Sequence, residues 1–147
     1  SLYQFIHNNR NGKMVSLLYV DLDHFKHVND TYGHKVGDEA LILAANVLKE
    51  CFENEFIARI GGDEFLIVRI GDYDLEELKI NAQRFLDRMH EAFRATEHMG
   101  ILSASIGIVQ SGDPNADIDL LIQQSDWALY KAKENGRGRY WVYESKN

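Results

Sequence analysis

Residues 59–65 read Arg-Ile-Gly-Gly-Asp-Glu-Phe, which places two glycines and two carboxylates on one tight turn between two apolar segments. The segments around it, Phe56 to Ile60 and Phe65 to Ile70, are rich in strand-forming residues. A two-residue Gly-Gly link between such segments predicts a β-hairpin. Gly61 and Gly62 can adopt positive φ, and because they have no Cβ they would let the phosphates of a ligand approach the main chain. The stretch predicts a phosphate and metal site, with a surface hairpin bearing solvated acids as the alternative.

A second polar cluster follows the apolar run Val15 to Val20, whose length and β-branched content predict a buried central strand. Asp21 stands at the end of this strand, where open sheets hold ligands and where an acidic residue binds a cation or caps the next helix. The capping role fits Asp23 better than Asp21. Downstream, residues 32–38 are punctuated by glycine, which predicts a loop rich in hydrogen-bond donors and acceptors.

The rest of the chain shows three amphipathic helical patterns and two further strands. The helical patterns cover residues 40–48, 75–93 and 118–129, and the strands cover 102–109 and 139–143. The resulting order, β-α-β-β-α-β-α-β, predicts an α/β (α+β) fold in which helices flank a mostly antiparallel, ferredoxin-like sheet of the palm type. We find no linker, so residues 1–147 are expected to form a single domain.

Composition narrows the class of protein. The chain has 147 residues, of which 45% are apolar, and its 16 basic and 23 acidic residues give a net charge of −7, which argues against a nucleic-acid polymer as partner. The single Cys51 cannot form an internal disulfide, and its place in a helical pattern predicts a core residue. No secretory pattern or long apolar run is present, so we expect a cytoplasmic domain without membrane contact.

Several motifs recur together at the spacing of one known family: Asp21 to Lys26, Asn29-Asp30, Gly33-His34, Gly37-Asp38, Gly61 to Phe65, Ser103 to Ile108 and Asp126 to Arg137. They resemble the GGDEF domain of diguanylate cyclases over nearly the whole chain. The resemblance implies the palm-type fold and an enzyme that condenses two GTP molecules into cyclic di-GMP and two pyrophosphates, for bacterial second-messenger signalling.

The resemblance also implies the roles of the acidic residues. Asp21, the backbone carbonyl of Leu22 and Asp63 would hold Mg²⁺, with Mn²⁺ as an alternative, because these ions prefer hard oxygen ligands. Asp63 and Glu64 would be the catalytic carboxylates, one of which assists deprotonation of the 3′-hydroxyl. The glycines at 61 and 62 would contact the phosphates of the substrate.

Nucleotide recognition is implied for Asn29 and Asp38, which resemble the guanine-reading residues of the family. One carboxylate can accept hydrogen bonds from both N1–H and the N2 amino group of guanine, and adenine offers no such pair. A mismatch of this kind supports discrimination of ~10⁴ or more, so Asp38 favours GTP over ATP. For Asn29, a helix cap or an Asx turn is the alternative interpretation.

Lys26, Lys133 and Arg137 match the phosphate contacts of the family. Lys133 and Arg137 are four residues apart and would share a face if the last helix extends that far. Gly136 and Gly138 favour an end of the helix nearby. Taken alone, charged residues at the end of a helix are usually only solvated.

Each domain would hold one GTP, so the resemblance implies that two domains must face each other across a two-fold axis. We expect the active species to be a homodimer, the isolated domain to be mostly monomeric and slow, and a sensor domain to lie upstream in the full-length protein.

Two departures from the family stand out. Many relatives carry an Arg-x-x-Asp product site, but residues 52–55 read Phe-Glu-Asn-Glu, and a cyclic dinucleotide phosphate needs the fork of an arginine. We therefore expect no product feedback through that site. The family's Asp-x-Leu-Thr-x-Leu-x-Asn-Arg segment is also missing, so the domain is expected to be clipped at its extreme N-terminus, with residues 1–6 in the helix that normally follows. Such a fragment could bind GTP without turnover.

Two other functions compete with the cyclase. A non-catalytic GTP-binding module that controls an attached domain would be favoured by losses at Asp21, Asp63 or Glu64, and the sequence shows none. A plain protein-interaction domain would be preferred if neither GTP nor product binds. Binding without turnover would separate the regulatory module from the enzyme.

Overall fold

A computed structural model describes residues 1–71 and 74–144 of the chain. The elements run in the order α1 (Leu2–Asn9), β1 (Val15–Asp23), α2 (Phe25–Tyr32), α3 (His34–Cys51), β2 (Phe56–Arg59), β3 (Glu64–Ile70), α4 (Leu75–Arg94), β4 (Ser103–Ser111), α5 (Ile118–Glu134) and β5 (Tyr140–Val142). The strands form one sheet in the order β2-β3-β1-β4-β5, in which only the described β4–β5 pair is parallel. The predicted α+β fold with a mostly antiparallel sheet is confirmed.

Strand β1 lies at the centre of the sheet, as predicted, and its side chains alternate between two helical layers. Leu18 and Val20 pack in the core formed with α2, α3 and α4, whereas Leu17 packs in the core formed with α1 and α5. Because side chains alternate along a strand, Asp21 and Asp23 lie on the same side as Leu17. The acidic end of β1 is therefore on the side of the sheet covered by α5.

Helix α5 lies unusually close to the sheet at Gly107 of β4. A Cβ atom on Gly107 would lie 2.0 Å from the carbonyl oxygen of Ser125 and 2.3 Å from the backbone nitrogen of Leu129. Only a residue without a side chain lets the helix backbone approach this closely. This contact fixes the height of α5 above β4, next to the central strand.

The loop predicted for residues 32–38 is wrong. Helix α2 ends at Tyr32, Gly33 has φ of 92°, and α3 begins at His34, so Asp38 is helical. Gly37 lies inside the first turns of α3, where a Cβ atom would be 1.8 Å from Oδ1 of Asn29. Glycine is needed here for the close approach of two helices, which a sequence pattern cannot distinguish from the use of glycine in a loop.

The hairpin between β2 and β3 is confirmed, but its two-residue link is wrong. The N–H of Ile60 donates to the carbonyl of Glu64 at 3.0 Å, so the turn contains Gly61, Gly62 and Asp63. Neither glycine has positive φ. Gly61 instead leaves room for the Glu64 carboxylate, because an added Cβ would lie 2.4 Å from Oε1, whereas Gly62 faces open space.

The other elements follow the predictions with small changes. Each of the three predicted helices lies inside an observed one, and the helix expected near the N-terminus is α1, which Ser1 caps. Helix α2 was not predicted, because eight residues give too short a pattern. Cys51 is buried in the core, as expected. Across residues 1–71 and 74–144, no helix combines the length and apolar character needed to cross a bilayer.

Candidate functional site

Two carboxylates and one ammonium group meet at the end of β1. Asp21 lies opposite Glu64 in the β1–β3 pair, and the N–H of Leu22 donates to the carbonyl of Asp63 at 3.2 Å. This main-chain bond holds the turn of residues 61–63 over the end of β1, with the Asp63 carboxyl beside that of Asp21. From α5, Nζ of Lys133 contacts Oδ2 of Asp21.

The electrostatics of Asp21 fit a cation site. Its Oδ1 is buried and accepts no hydrogen bond within the described chain. Burial raises the pKa of Asp21 to about 6; the Lys133 ammonium opposes this shift and the Asp63 carboxyl adds to it. The site thus brings two acidic side chains together, and Lys133 is the ammonium group that contacts Asp21. Hard divalent cations prefer such oxygen ligands, so the residues present fit Mg²⁺.

The carboxylate pair would need further ligands to hold a metal. In the part of the chain that the structure describes, no group of three or more His, Cys, Asp or Glu side chains is placed to bind a metal ion. Asp21 and Asp63 therefore supply only part of a coordination shell. Backbone carbonyls, water and the phosphates of a bound nucleotide are the usual additional ligands of Mg²⁺.

Glu64 is held by a neighbour that the sequence analysis missed. The hydroxyl of Tyr19 donates to Oε2 of Glu64 at 2.9 Å, while Gly61 makes room for Oε1. Burial, followed by this hydrogen bond, raises the pKa of Tyr19, so the phenol stays a donor. Tyr19 precedes Asp21 by two residues and shares its side of the sheet. The alternation of side chains along β1 could therefore have identified Tyr19 as a neighbour of the site.

Asp23 does not cap α2, which corrects the expectation from the sequence. The N-cap residue of α2 is His24, and its side chain makes no capping hydrogen bond. The Asp23 carboxylate instead accepts hydrogen bonds from Ser103 Oγ at 2.6 Å, from Ser105 Oγ at 2.9 Å and from the N–H of Gly138 at 3.2 Å. These partners lie at least 80 positions away along the chain, so no local pattern could predict them.

The end of α5 brings two basic residues to the site by different routes. The N–H of Arg137 donates to the carbonyl of Ala132 at 3.0 Å and that of Gly136 to the carbonyl of Lys133 at 3.3 Å, which is a Schellman motif. The predicted end of the helix near Gly136 is confirmed. The helix does not extend to Arg137, so the condition for a shared face with Lys133 is not met. Arg137 lies beyond the helix, with its Nε 4.0 Å from Oδ1 of Asp23.

The proposed guanine readers lie on the paired helices α2 and α3. Asn29 is inside α2, so neither a helix cap nor an Asx turn describes it. Its Oδ1 is buried without a hydrogen-bond donor from the described chain and lies over Gly37, the residue before Asp38. Asp38 itself is exposed. The close approach at Gly37 thus brings Asn29 to the turn of α3 that carries Asp38.

The structure does not join Lys26 to the carboxylate pair. Its side chain is 92% exposed and its ammonium lies 3.4 Å from the carboxylate of Asp30, one turn later in α2. Such an exposed pair holds a side chain only weakly, so Lys26 is free to reorient. Its contact with phosphate stays a prediction.

The fold and the acidic strand end define a mixed α+β domain of the nucleotide-cyclase palm type. Residues 1–139 match the family model described as "Diguanylate cyclase, GGDEF domain", and the chain belongs to this family. It resembles an active GGEEF domain of a diguanylate cyclase from Vibrio cholerae, with a TM-score of 0.79, 30% identity, and coverage of 98% of this chain and 92% of the other.

Two curated relatives differ in their named activities. The cyclic di-GMP phosphodiesterase PdeR of Escherichia coli is 37% identical over 137 residues, which cover 92% of this chain and 21% of PdeR. The diguanylate cyclase DosC of Escherichia coli is 37% identical over 146 residues, which cover 97% of this chain and 31% of DosC. The chain thus spans between a fifth and a third of the length of these relatives.

Proposed function

We propose that this domain is a diguanylate cyclase, which condenses two GTP molecules into cyclic di-GMP and two pyrophosphates. The observation that carries the proposal is the buried Oδ1 of Asp21, which has no donor among the described residues and lies beside the Asp63 carboxyl. A structural acid at the end of a strand would be satisfied by protein donors, as Asp23 is. The buried Oδ1 of Asp21 is suited to a cation that binds together with the nucleotide.

The metal site would consist of Asp21, Asp63 and the backbone carbonyl of Leu22, with Mg²⁺ as the preferred ion and Mn²⁺ as a substitute. A bound Mg²⁺ would neutralise the phosphate charge and lower the pKa of the attacking 3′-hydroxyl. Asp63 or Glu64 would accept the proton of that hydroxyl. The hydrogen bond from Tyr19 holds Glu64 in one orientation, which suits a group that must be in place before the substrate arrives.

The phosphates would be bound by the basic groups at the end of α5 and by the glycine turn. Lys133 already lies at the carboxylate pair, and Arg137 presents its guanidinium from the turn that follows α5. Gly62 faces open space, so a phosphate could approach its main chain. Lys26 would swing from Asp30 toward the same phosphates.

The base would be read by Asn29 and Asp38. Guanine offers two donors, N1–H and the N2 amino group, to the Asp38 carboxylate, and the Oδ1 of Asn29 lacks a donor in the described chain. Adenine would leave these acceptors without partners, which disfavours ATP.

Catalysis requires two such domains, because each holds one GTP and the product joins two. We therefore propose a homodimer whose sites face each other across a two-fold axis, with an upstream sensor domain bringing the domains together. Because GTP is a cytoplasmic nucleotide, we also propose that the domain works in the cytoplasm.

The test uses the domain fused to a dimeric coiled coil and incubated with GTP and Mg²⁺. The expected result is cyclic di-GMP, detected by chromatography, from the wild type and from Asp87→Asn, an exposed control on α4. Asp63→Asn should form no product. Product from Asp63→Asn at the wild-type rate would refute the assignment of the metal site.

The relative PdeR favours one other candidate, a GTP-binding module that regulates an attached phosphodiesterase domain, because the matching fifth of that protein belongs to a named phosphodiesterase. This candidate predicts that the dimerised domain binds GTP with micromolar affinity and forms no cyclic di-GMP. Cyclic di-GMP formed by the dimerised wild type would refute this candidate.

A further inference from the structure

The carboxylate of Asp23 is satisfied entirely by protein groups, unlike that of Asp21. Its side chain is 0% exposed and it accepts hydrogen bonds from Ser103 Oγ at 2.6 Å, from Ser105 Oγ at 2.9 Å and from the N–H of Gly138 at 3.2 Å. These three donors satisfy the buried carboxylate without a metal. The two acids of β1 therefore serve different purposes.

The bond to Gly138 restrains a turn with an uncommon backbone. Gly136, Arg137 and Gly138 have φ of 121°, 61° and 60°. A left-handed conformation is unfavourable for a residue with a Cβ, so Arg137 keeps it only because its surroundings fix it. Gly138 is held by Asp23, and Nε of Arg139 donates to the carbonyl of Arg137 at 3.1 Å.

The Asp23 carboxylate also orients the guanidinium of Arg137. Nε of Arg137 lies 4.0 Å from Oδ1 of Asp23, which is beyond hydrogen-bond distance but close enough for electrostatic attraction. The Arg137 side chain is 49% exposed. Its terminal N–H groups can therefore bind a phosphate while the carboxylate keeps the group at the site.

We propose that Asp23 is a positioning residue, which fixes the left-handed turn through Gly138 and so holds Arg137 where the phosphates of GTP bind. Asp23 touches neither the substrate nor the metal and acts through Arg137. Ser103 and Ser105 orient the carboxylate. The Oγ of Ser105 also accepts a hydrogen bond from the N–H of Gly138 at 3.2 Å. This inference rests on the proposed function for the identity of the phosphate ligand.

The test compares a non-hydrolysable GTP analogue with guanosine, so that the contribution of the phosphates is measured separately. Asp23→Asn, Arg137→Ala and the double variant are titrated in the presence of Mg²⁺. Ser16→Ala is the matched control, because Ser16 is a fully buried polar residue of the same strand and accepts a hydrogen bond from Gln110 at 3.2 Å. Thermal unfolding reports separately on the fold of each variant.

We expect Asp23→Asn and Arg137→Ala each to weaken binding of the analogue about tenfold, to leave guanosine binding within about a factor of two, and to show no further loss in the double variant. Ser16→Ala should bind as the wild type does. Additive losses in the double variant, or an equal loss for guanosine, would overturn the proposal, since Asp23 would then act independently of Arg137 or only through the fold.

A second readout needs no nucleotide. Hydrogen exchange at the Gly138 amide, measured by NMR, should be faster in Asp23→Asn than in the wild type, whereas exchange in α4 stays unchanged. If the wild type bound no GTP analogue, the proposed function would fail, and the exchange rate at Gly138 would still decide whether Asp23 holds the turn. If Asp23→Asn does not fold, Ser105→Ala should give the same pattern with smaller changes, and wild-type behaviour would refute it.

Discussion

Nζ of Lys133 contacts Oδ2 of Asp21 across the gap between α5 and β1. The carboxylate that we assign to the metal is thus partly neutralised by a cation of the protein itself. A metal ion on Oδ1 and the Lys133 ammonium on Oδ2 would share the charge of one carboxylate, while a nucleotide phosphate would offer Lys133 another anion. The contact would therefore link binding of the metal to binding of the nucleotide.

Replacement of Lys133 by Gln should separate these two effects. Without nucleotide, at pH 8, we expect Mn²⁺ to bind the variant roughly three to ten times more tightly, because the positive charge of Lys133 beside the carboxylate is gone. The GTP analogue should bind more weakly, because a phosphate contact is lost. Mn²⁺ binding is measured by electron paramagnetic resonance, and Lys131→Gln, whose ammonium lies 3.4 Å from Glu134, is the control. A parallel fall of the Mn²⁺ and analogue affinities would contradict this role of Lys133.

Asp21→Asn should stabilise the metal-free domain at neutral pH. The folded pKa of Asp21 is raised from 3.8 to about 6, chiefly by burial, so its contribution to stability is fully present below pH 3.8 and is lost as the pH rises through 6. The variant removes that loss. We expect a gain on the order of 1 kcal/mol at pH 8 and none at pH 4, measured by urea unfolding.

Asp23→Asn provides the contrast on the same strand. Because the Asp23 carboxylate is buried with three donors, the amide should cost roughly 1–3 kcal/mol at pH 8. Equal effects of the two variants on unfolding would contradict the distinction between a carboxylate without donors and one that the protein satisfies.

Predictions from the sequence succeeded where the signal was local. The run before Asp21 identified the central strand, and the glycines at 61 and 62 identified the hairpin, because both signals lie within a few residues. The reason for a glycine at positions 37 and 61 was not predictable from the sequence. Gly61 makes room for the side chain of Glu64, and Gly37 makes room for that of Asn29. Pairing between residues far apart in the chain, such as that of Asp23 with β4, leaves no local pattern.

Gly61 and Gly62 should respond differently to alanine. A Cβ on Gly61 would lie 2.4 Å from Oε1 of Glu64, so Gly61→Ala must displace that carboxylate, and we expect turnover to fall at least about tenfold. Gly62→Ala meets no atom within 4 Å. The thermal unfolding of Gly62→Ala should match that of the wild type. If this variant binds the GTP analogue more weakly, the phosphates must approach the main chain at Gly62. Identical behaviour of the two variants in both assays would contradict this assignment.

Asp38→Asn should relax the choice of base. The amide would offer a donor in place of an acceptor, so the preference for GTP over ATP should fall at least about tenfold. Binding of the two triphosphates is compared by calorimetry. Glu39→Gln is the control, because Glu39 is the next exposed acid of α3. An unchanged preference in Asp38→Asn would assign recognition of the base to other groups.

Phe52→Arg should fail to restore a product site. Phe52 is 1% exposed with its ring 6.3 Å from that of Phe85, so an arginine there would bury a charge and remove a core ring, at a cost of at least ~3 kcal/mol. Glu55, three residues later, forms a buried ion pair with Arg69 at 2.9 Å, so its role is structural as well. Urea unfolding measures the cost, and Glu53→Arg, on an exposed neighbour, should stay within about 0.5 kcal/mol of the wild type.

The same position decides product feedback. Wild-type turnover should not change when cyclic di-GMP is added, because the residues that would bind its phosphates belong to the core and to a buried ion pair. A folded Phe52→Arg variant that product inhibits would show that position 52 can turn outward, and that the packing of Phe52 does not exclude such a site. Inhibition of the wild type itself would mean that product binds elsewhere on the domain or at the substrate site, which competition with GTP would identify.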